Sequence, residues 1–141
     1  MKNLLVLLTL FASCTLTAQK VDTTESKELI ISDSVFYKVE VEASFPGGEQ
    51  LWNKYIQSVI EKNINKIIKD KKSFGTCEVQ FIVDKDGTVT NVEALTLKDS
   101  YLAKVFIKAV KEGPRWVPAY QFGKSVKAWR RQKVTILPPE K

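Results

Sequence analysis

The clearest pattern in this chain lies in its second half, where the spacing of apolar residues predicts a β-hairpin, a helix and a return strand. From Thr76 to Val83 apolar and polar residues alternate, which predicts a strand with one buried face. Asp84 to Gly87 has turn-forming residues, and the β-branched stretch from Thr88 to Leu97 predicts the second strand of an antiparallel hairpin. The apolar positions of this stretch change phase, which indicates a β-bulge.

Two amphipathic helices are predicted from apolar residues that recur three and four positions apart. The first begins after Gly48, at Glu49, and continues into a lysine-rich stretch as one helix or as two. The second is capped by Asp99 or Ser100 and ends at Gly113. Its apolar stripe consists of Leu102, Val105, Phe106, Ala109 and Val110. The pattern as a whole predicts an α+β fold, with a small antiparallel sheet and the order helix, hairpin, helix, strand.

The final strand is predicted from Val126 to Leu137, after a turn at Phe122-Gly123-Lys124. In so small a sheet, such a strand leaves backbone groups unpaired at an edge, where another chain can add a strand. Cationic and aromatic side chains alternate on one of its faces. The alternative is an exposed face whose charges prevent aggregation. The candidate partner-binding residues are Val126, Lys127, Trp129, Arg131, Lys133 and Thr135.

The first residues have the layout of a secretory signal, with a positive start, an apolar segment from Leu4 to Ala12 and small residues after it. Cleavage after Ala18 would release a soluble periplasmic protein. Phe11-Ala12-Ser13-Cys14 also resembles a lipoprotein cleavage box, so an outer-membrane lipoprotein acylated at Cys14 is an alternative. The third alternative is that the leader is retained and serves as a membrane anchor. Membrane association is expected only in these last two cases.

These signals divide the chain into four parts. They are a signal peptide at 1–18, a linker at 19–44 with a short strand at 35–42, one domain at 45–137 and a tail at 138–141.

Charge and composition narrow the function. The formal net charge is +6, and the basic residues are concentrated after residue 50. Such a surface fits nucleic acid or an anionic partner, but export argues against nucleic acid, so envelope polyanions remain a candidate partner. The chain has no histidine, which removes the commonest general base and zinc ligand. Cys77 lies in phase with core positions of its strand, and we expect no enzyme, metal or cofactor.

Three short motifs, taken together, resemble a known family. Phe45-Pro46-Gly47-Gly48-Glu49 precedes the first helix, Phe81 to Val92 forms the hairpin, and Trp116-Val117-Pro118-Ala119 is followed by Gly123-Lys124-Ser125-Val126. In this order they resemble the TonB C-terminal domain, in the form common in Bacteroidetes-type envelope proteins. The resemblance covers roughly residues 45–136.

The resemblance implies a compact periplasmic domain that binds an exposed segment of an outer-membrane transporter, or of another envelope protein, by strand addition. The matching edge would be the last strand. The Tyr-Pro pair that the family usually shows before its hairpin is absent, and so is its long proline-rich spacer. Coupling to the proton gradient, as in an energy transducer, is therefore expected only if the leader is retained. A homodimer is a further alternative.

Overall fold

The computed structural model describes residues 34–139, so the predicted signal peptide and Cys14 lie outside the described part of the chain. The α+β class is confirmed. In chain order the elements are β1 (Val35–Phe36), α1 (Gly48–Ile67), a 3-10 turn (Lys71–Ser73), β2 (Gly75–Val83), β3 (Val89–Ala94), α2 (Tyr101–Glu112), β4 (Ala119–Gln121) and β5 (Lys124–Ile136).

The sheet is built around β2 and β5, which pair antiparallel from Gly75 opposite Ile136 to Val83 opposite Ala128. β3 pairs antiparallel with the other side of β2, as the hairpin pattern predicts. β1 pairs with β5 in the parallel sense, which makes the sheet mixed. β4, which the sequence pattern did not reveal, forms a short hairpin with the start of β5.

The hairpin of β2 and β3 follows its predicted geometry. The alternating residues Cys77, Val79, Phe81 and Val83 are all fully buried. The predicted bulge is confirmed, because the pairing of β2 with β3 shifts between Gln80 and Ile82. One extra residue is accommodated in β3 there, which a bulge does by a local change of backbone conformation.

The two helices cover the face of the sheet that carries these buried residues. α1 is one continuous helix, and it buries Trp52, Ile56, Ile60 and Ile67 in the same core cluster as the β2 side chains. All five residues of the stripe predicted for α2 are buried. The described part of the predicted linker also packs on this domain, since β1 joins the sheet and Ala43 is buried. The division of the chain into parts stays a prediction.

Three side chains hold the start of α2 in place. The first N–H groups of a helix have no partner within it and need acceptors from outside. Here the acceptors are Asp70 Oδ2 for Tyr101 N–H at 2.6 Å, Ser73 Oγ for Leu102 N–H at 3.0 Å and Ser100 Oγ for Ala103 N–H at 3.0 Å. The 3-10 turn before β2 is thereby joined to the start of α2.

Asp70 makes this junction sensitive to acid. Hydrogen bonds from Tyr101 N–H, the Ser73 hydroxyl and Lys72 N–H lower its pKa below the ordinary value of 3.8. A carboxyl group whose pKa is lower in the folded state than in the unfolded state stabilises the fold at pH values above its unfolded-state pKa. This contribution is lost as the pH falls through its folded-state pKa. Asp70→Ala should therefore be less stable than the native protein at pH 7.

Urea unfolding from pH 7 to pH 2 checks this expectation. The difference in unfolding free energy between the native protein and Asp70→Ala should narrow as the pH falls below about 4, where unfolded aspartate becomes protonated. Asp70→Asn keeps an acceptor oxygen without the charge and serves as the control. A difference that stays constant down to pH 2 would rule out the ionised carboxylate as the cause.

Candidate functional site at the free flank of β5

The direction of the β5 backbone groups follows from the contacts of Glu78 on β2. Its carbonyl oxygen accepts Leu95 N–H at 2.8 Å, and its N–H donates to Thr96 Oγ1 at 2.8 Å, so both groups point away from β5. Glu78 lies opposite Lys133. Lys133 is thus in a non-hydrogen-bonded pair with β2, and its own backbone groups point to the opposite side of β5.

Backbone direction alternates along a strand, so Arg131 and Thr135 share the orientation of Lys133. On that side β1 pairs with β5 only at Lys127 and Ala128. Beyond residue 128, no strand in the described part of the chain pairs with this side. We define the outward backbone groups of Arg131, Lys133 and Thr135 as the free flank.

The last strand, which was predicted to provide the edge from Val126 onward, is already paired at its beginning. Val126 pairs with Ala119 of β4, and Lys127 pairs with Val35 of β1. The backbone at these two positions is already occupied. Whether any of the six candidate residues contacts a partner stays a prediction.

Val126 is buried in the core on the helix side of the sheet, whereas the other five candidate side chains share the opposite face. Most of those five have neighbours on that face. Lys127 Nζ lies 3.6 Å from an Asp84 carboxylate oxygen, and Arg131 Nη1 lies 3.6 Å from a Glu78 carboxylate oxygen. The Thr135 hydroxyl is hydrogen-bonded to the Thr76 hydroxyl at 2.8 Å. Because acidic groups of β2 and its turn face these cations, this surface is less positive than its sequence suggests.

Trp129 has a different environment from the charged residues. Its ring stacks on Tyr37, with centroids 5.8 Å apart and planes 18° apart. Tyr37 follows β1 directly, at the point where the chain leaves β5. The two rings therefore mark the end at which pairing along the free flank must stop.

A groove of ≈ 420 Å³ lies beside the flank, on the helix side of the sheet. Phe45, Trp52 and Trp116 form its aromatic part, and Arg130 and Gln132 of β5 also line it. These residues were not among the predicted site residues. Arg130 could have been recognised from its phase, since it is a cation on the inward face of the strand.

Arg130 is held in this groove by an acid from the segment after β1. Its Nη1 donates to Glu42 Oε2 at 2.6 Å, whereas its Nε is buried without a hydrogen-bond partner among the described residues. A buried guanidinium nitrogen without a partner can still donate to a group that enters the groove. The groove thus offers aromatic contacts and a hydrogen-bond donor beside unpaired backbone groups.

The described residues can be examined for two kinds of chemistry, metal binding and thiol reactivity. Residues 34–139 contain no group of three or more histidine, cysteine, aspartate or glutamate side chains placed to bind a metal ion. Burial raises the pKa of the Cys77 thiol to about 11, so the reactive thiolate is scarce at neutral pH. Neither helix in this part of the chain is both long and apolar enough to cross a membrane.

Comparison with known proteins gives one match. The family model described as Gram-negative bacterial TonB protein C-terminal matches residues 66–135, from the end of α1 through β5. No curated protein and no solved structure matches the chain. Domains of this family are protein-interaction domains of the cell envelope, and they interact with outer-membrane transporters. The chain belongs to the TonB C-terminal domain family.

Proposed function

We propose that this protein is a non-enzymatic periplasmic module that binds an extended segment of an outer-membrane transporter, or of another envelope protein, by strand addition to β5. The observation that carries the proposal is the free flank, where the backbone groups of Arg131, Lys133 and Thr135 point away from β2. Strand addition supplies partners for such groups, and side-chain contacts beside the strand supply selectivity. The adjoining groove provides space for those side chains.

The flank limits the length of the bound segment. Pairing begins beyond Ala128, where β1 ends, and stops at Ile136, before Pro138. A partner segment of roughly eight residues fills this distance at the usual rise along a strand. A short exposed segment of a larger protein is therefore a suitable ligand.

Charge makes a second copy of this chain a poor partner for the same flank. Antiparallel pairing of two β5 strands about Gln132 would place Arg131 of one copy opposite Lys133 of the other. Like charges directly opposite one another destabilise a pair of strands. The flank thus favours a partner of a different sequence over a homodimer.

The matched variants Arg131→Pro and Arg131→Ala test strand addition. Both remove the cationic side chain, but only proline removes the N–H that points away from β2, and proline is tolerated at sheet edges. In affinity capture from envelope extracts, Arg131→Pro should retain at least about tenfold less of the specific partner than Arg131→Ala, as expected for a lost backbone hydrogen bond and a hindered approach. Circular dichroism should show both variants folded.

Trp129→Ala adds a test of the side-chain contribution, since it leaves the backbone groups intact. It should weaken retention less than proline at position 131. If all three variants retained every specific partner at the native level, binding by strand addition along β5 would be wrong.

A further inference from the structure

A second groove, of ≈ 320 Å³, lies between α1 and α2 and shares no residue with the groove beside β5. Strand addition makes no use of it. Three of its lining residues are lysines, namely Lys62 of α1 and Lys104 and Lys108 of α2. Between residues 34 and 139, Glu112 is the single acidic residue that lines it. The groove therefore has a concentrated positive charge.

These lysines are poorly compensated. Lys62 and Lys104 form no ion pair with any residue between 34 and 139. Lys108 Nζ lies 3.9 Å from a Glu112 carboxylate oxygen, and both side chains are mostly exposed. An exposed pair at that distance holds its lysine weakly. An anion in the groove can thus attract all three ammonium groups.

Neutral polar groups line the same groove. The Tyr55 hydroxyl donates to the Ala109 carbonyl oxygen at 2.9 Å, and the Asn63 amide donates to the Val59 carbonyl oxygen at 2.8 Å. Each Asn side-chain amide has two N–H donors, so Asn63 keeps one for a ligand. The Tyr101 hydroxyl lies 3.5 Å from Asn63 Oδ1, a distance too long for a strong hydrogen bond. The free N–H of the Asn63 amide and the Tyr101 hydroxyl can therefore turn toward a bound anion.

We propose that this interhelical groove binds a phosphate group through Lys62, Lys104 and Lys108. Phosphate fits better than a carboxylate, because lysines act as separate point charges and a tetrahedral phosphate offers oxygens in several directions. A carboxylate is matched best by the planar fork of arginine, and none of the described residues that line the groove is an arginine. Soluble phosphate esters and lipid headgroups share this chemistry.

Two probes distinguish these sources in the full-length protein. Glycerol 3-phosphate is titrated while amide NMR shifts are recorded, and vesicles of phosphatidylcholine with one-third phosphatidylglycerol are used for co-sedimentation. Binding should shift amides around Asn63 and Lys104 in the first case, or retain the protein on anionic vesicles in the second. Binding to either probe should weaken as salt is added, because salt screens the lysine charges.

Three variants connect binding to the groove. Lys62→Glu/Lys104→Glu should lower the affinity at least tenfold. Lys54→Glu/Lys98→Glu changes the net charge equally outside the groove and should stay within about twofold of the native protein. Glu112→Gln removes the opposing acid and should strengthen binding a few-fold.

Groove-localised NMR shifts that disappear in Lys62→Glu/Lys104→Glu would identify a soluble phosphate as sufficient. A lipid headgroup would be identified if the protein were retained on anionic vesicles, if Lys62→Glu/Lys104→Glu abolished this retention, and if glycerol 3-phosphate caused no shifts in the groove. The phosphate site would be overturned if Lys62→Glu/Lys104→Glu and Lys54→Glu/Lys98→Glu lowered the binding affinity equally. It would also be overturned if the native protein bound neither glycerol 3-phosphate nor the anionic vesicles.

Discussion

Trp116→Ala is expected to lower the free energy of unfolding by about 3–5 kcal/mol, the usual effect of deleting a buried tryptophan side chain. Trp116 is only 4% exposed, and its ring contacts three other aromatic rings. The centroid distances are 5.0 Å to Phe81, 5.4 Å to Trp52 and 5.8 Å to Phe45. These residues come from β2, α1 and the segment before α1, so removal of Trp116 would open a cavity where all three meet.

Urea unfolding of the purified protein measures this effect. Phe122→Ala is the control, because Phe122 is 69% exposed and should change the unfolding free energy by less than about 0.5 kcal/mol. If Trp116→Ala cost no more than Phe122→Ala, the packing described for the aromatic cluster would be wrong.

Gly87→Ala is expected to lower the free energy of unfolding by about 2–4 kcal/mol, from backbone strain and a lost hydrogen bond. Gly87 has φ +84°, a backbone conformation that residues other than glycine rarely adopt. A Cβ there would also collide with the Trp116 carbonyl oxygen. Trp116 N–H donates to the Gly87 carbonyl oxygen at 2.9 Å, so the hairpin turn and the connection after α2 lie in direct contact.

Gly123→Ala separates strain from collision. Gly123 has φ +72° in the turn between β4 and β5, and a Cβ at this position would meet nothing within 4 Å. Gly123→Ala should lower the free energy of unfolding by only about 1 kcal/mol, because it introduces backbone strain without a collision. Equal losses in the two variants, measured by urea unfolding, would contradict the close contact between Gly87 and Trp116.

The sequence predicted the elements whose side chains repeat regularly. The alternation from Cys77 to Val83 and the stripe of α2 were clear because each element buries one face over several residues. A short strand was predicted at 35–42, and β1 includes only Val35–Phe36 of that range. β4 spans three residues, which is too short for a period to show. Their positions depend on pairing with β5, which a local pattern cannot reveal.

The same limit applied to the candidate site. The phase of β5 correctly placed Lys127, Trp129, Arg131 and Lys133 on one face, since that depends only on the strand period. It could not show that β1 and β4 occupy the backbone at the beginning of the strand. The acidic neighbours of Lys127 and Arg131 were also hidden, because Asp84 and Glu78 come from the adjacent strand and its turn.

Amide hydrogen exchange of the isolated protein, measured residue by residue with NMR, tests the free flank most directly. Along β5 the N–H groups of Arg130, Gln132 and Val134 face β2, whereas those of Arg131 and Lys133 face away. If the flank is unpaired, protection should alternate, with exchange at Arg131 and Lys133 at least about a hundredfold faster than at their three neighbours. Uniform protection of all five amides in the monomer would show that the flank is already paired, and would contradict strand addition at β5.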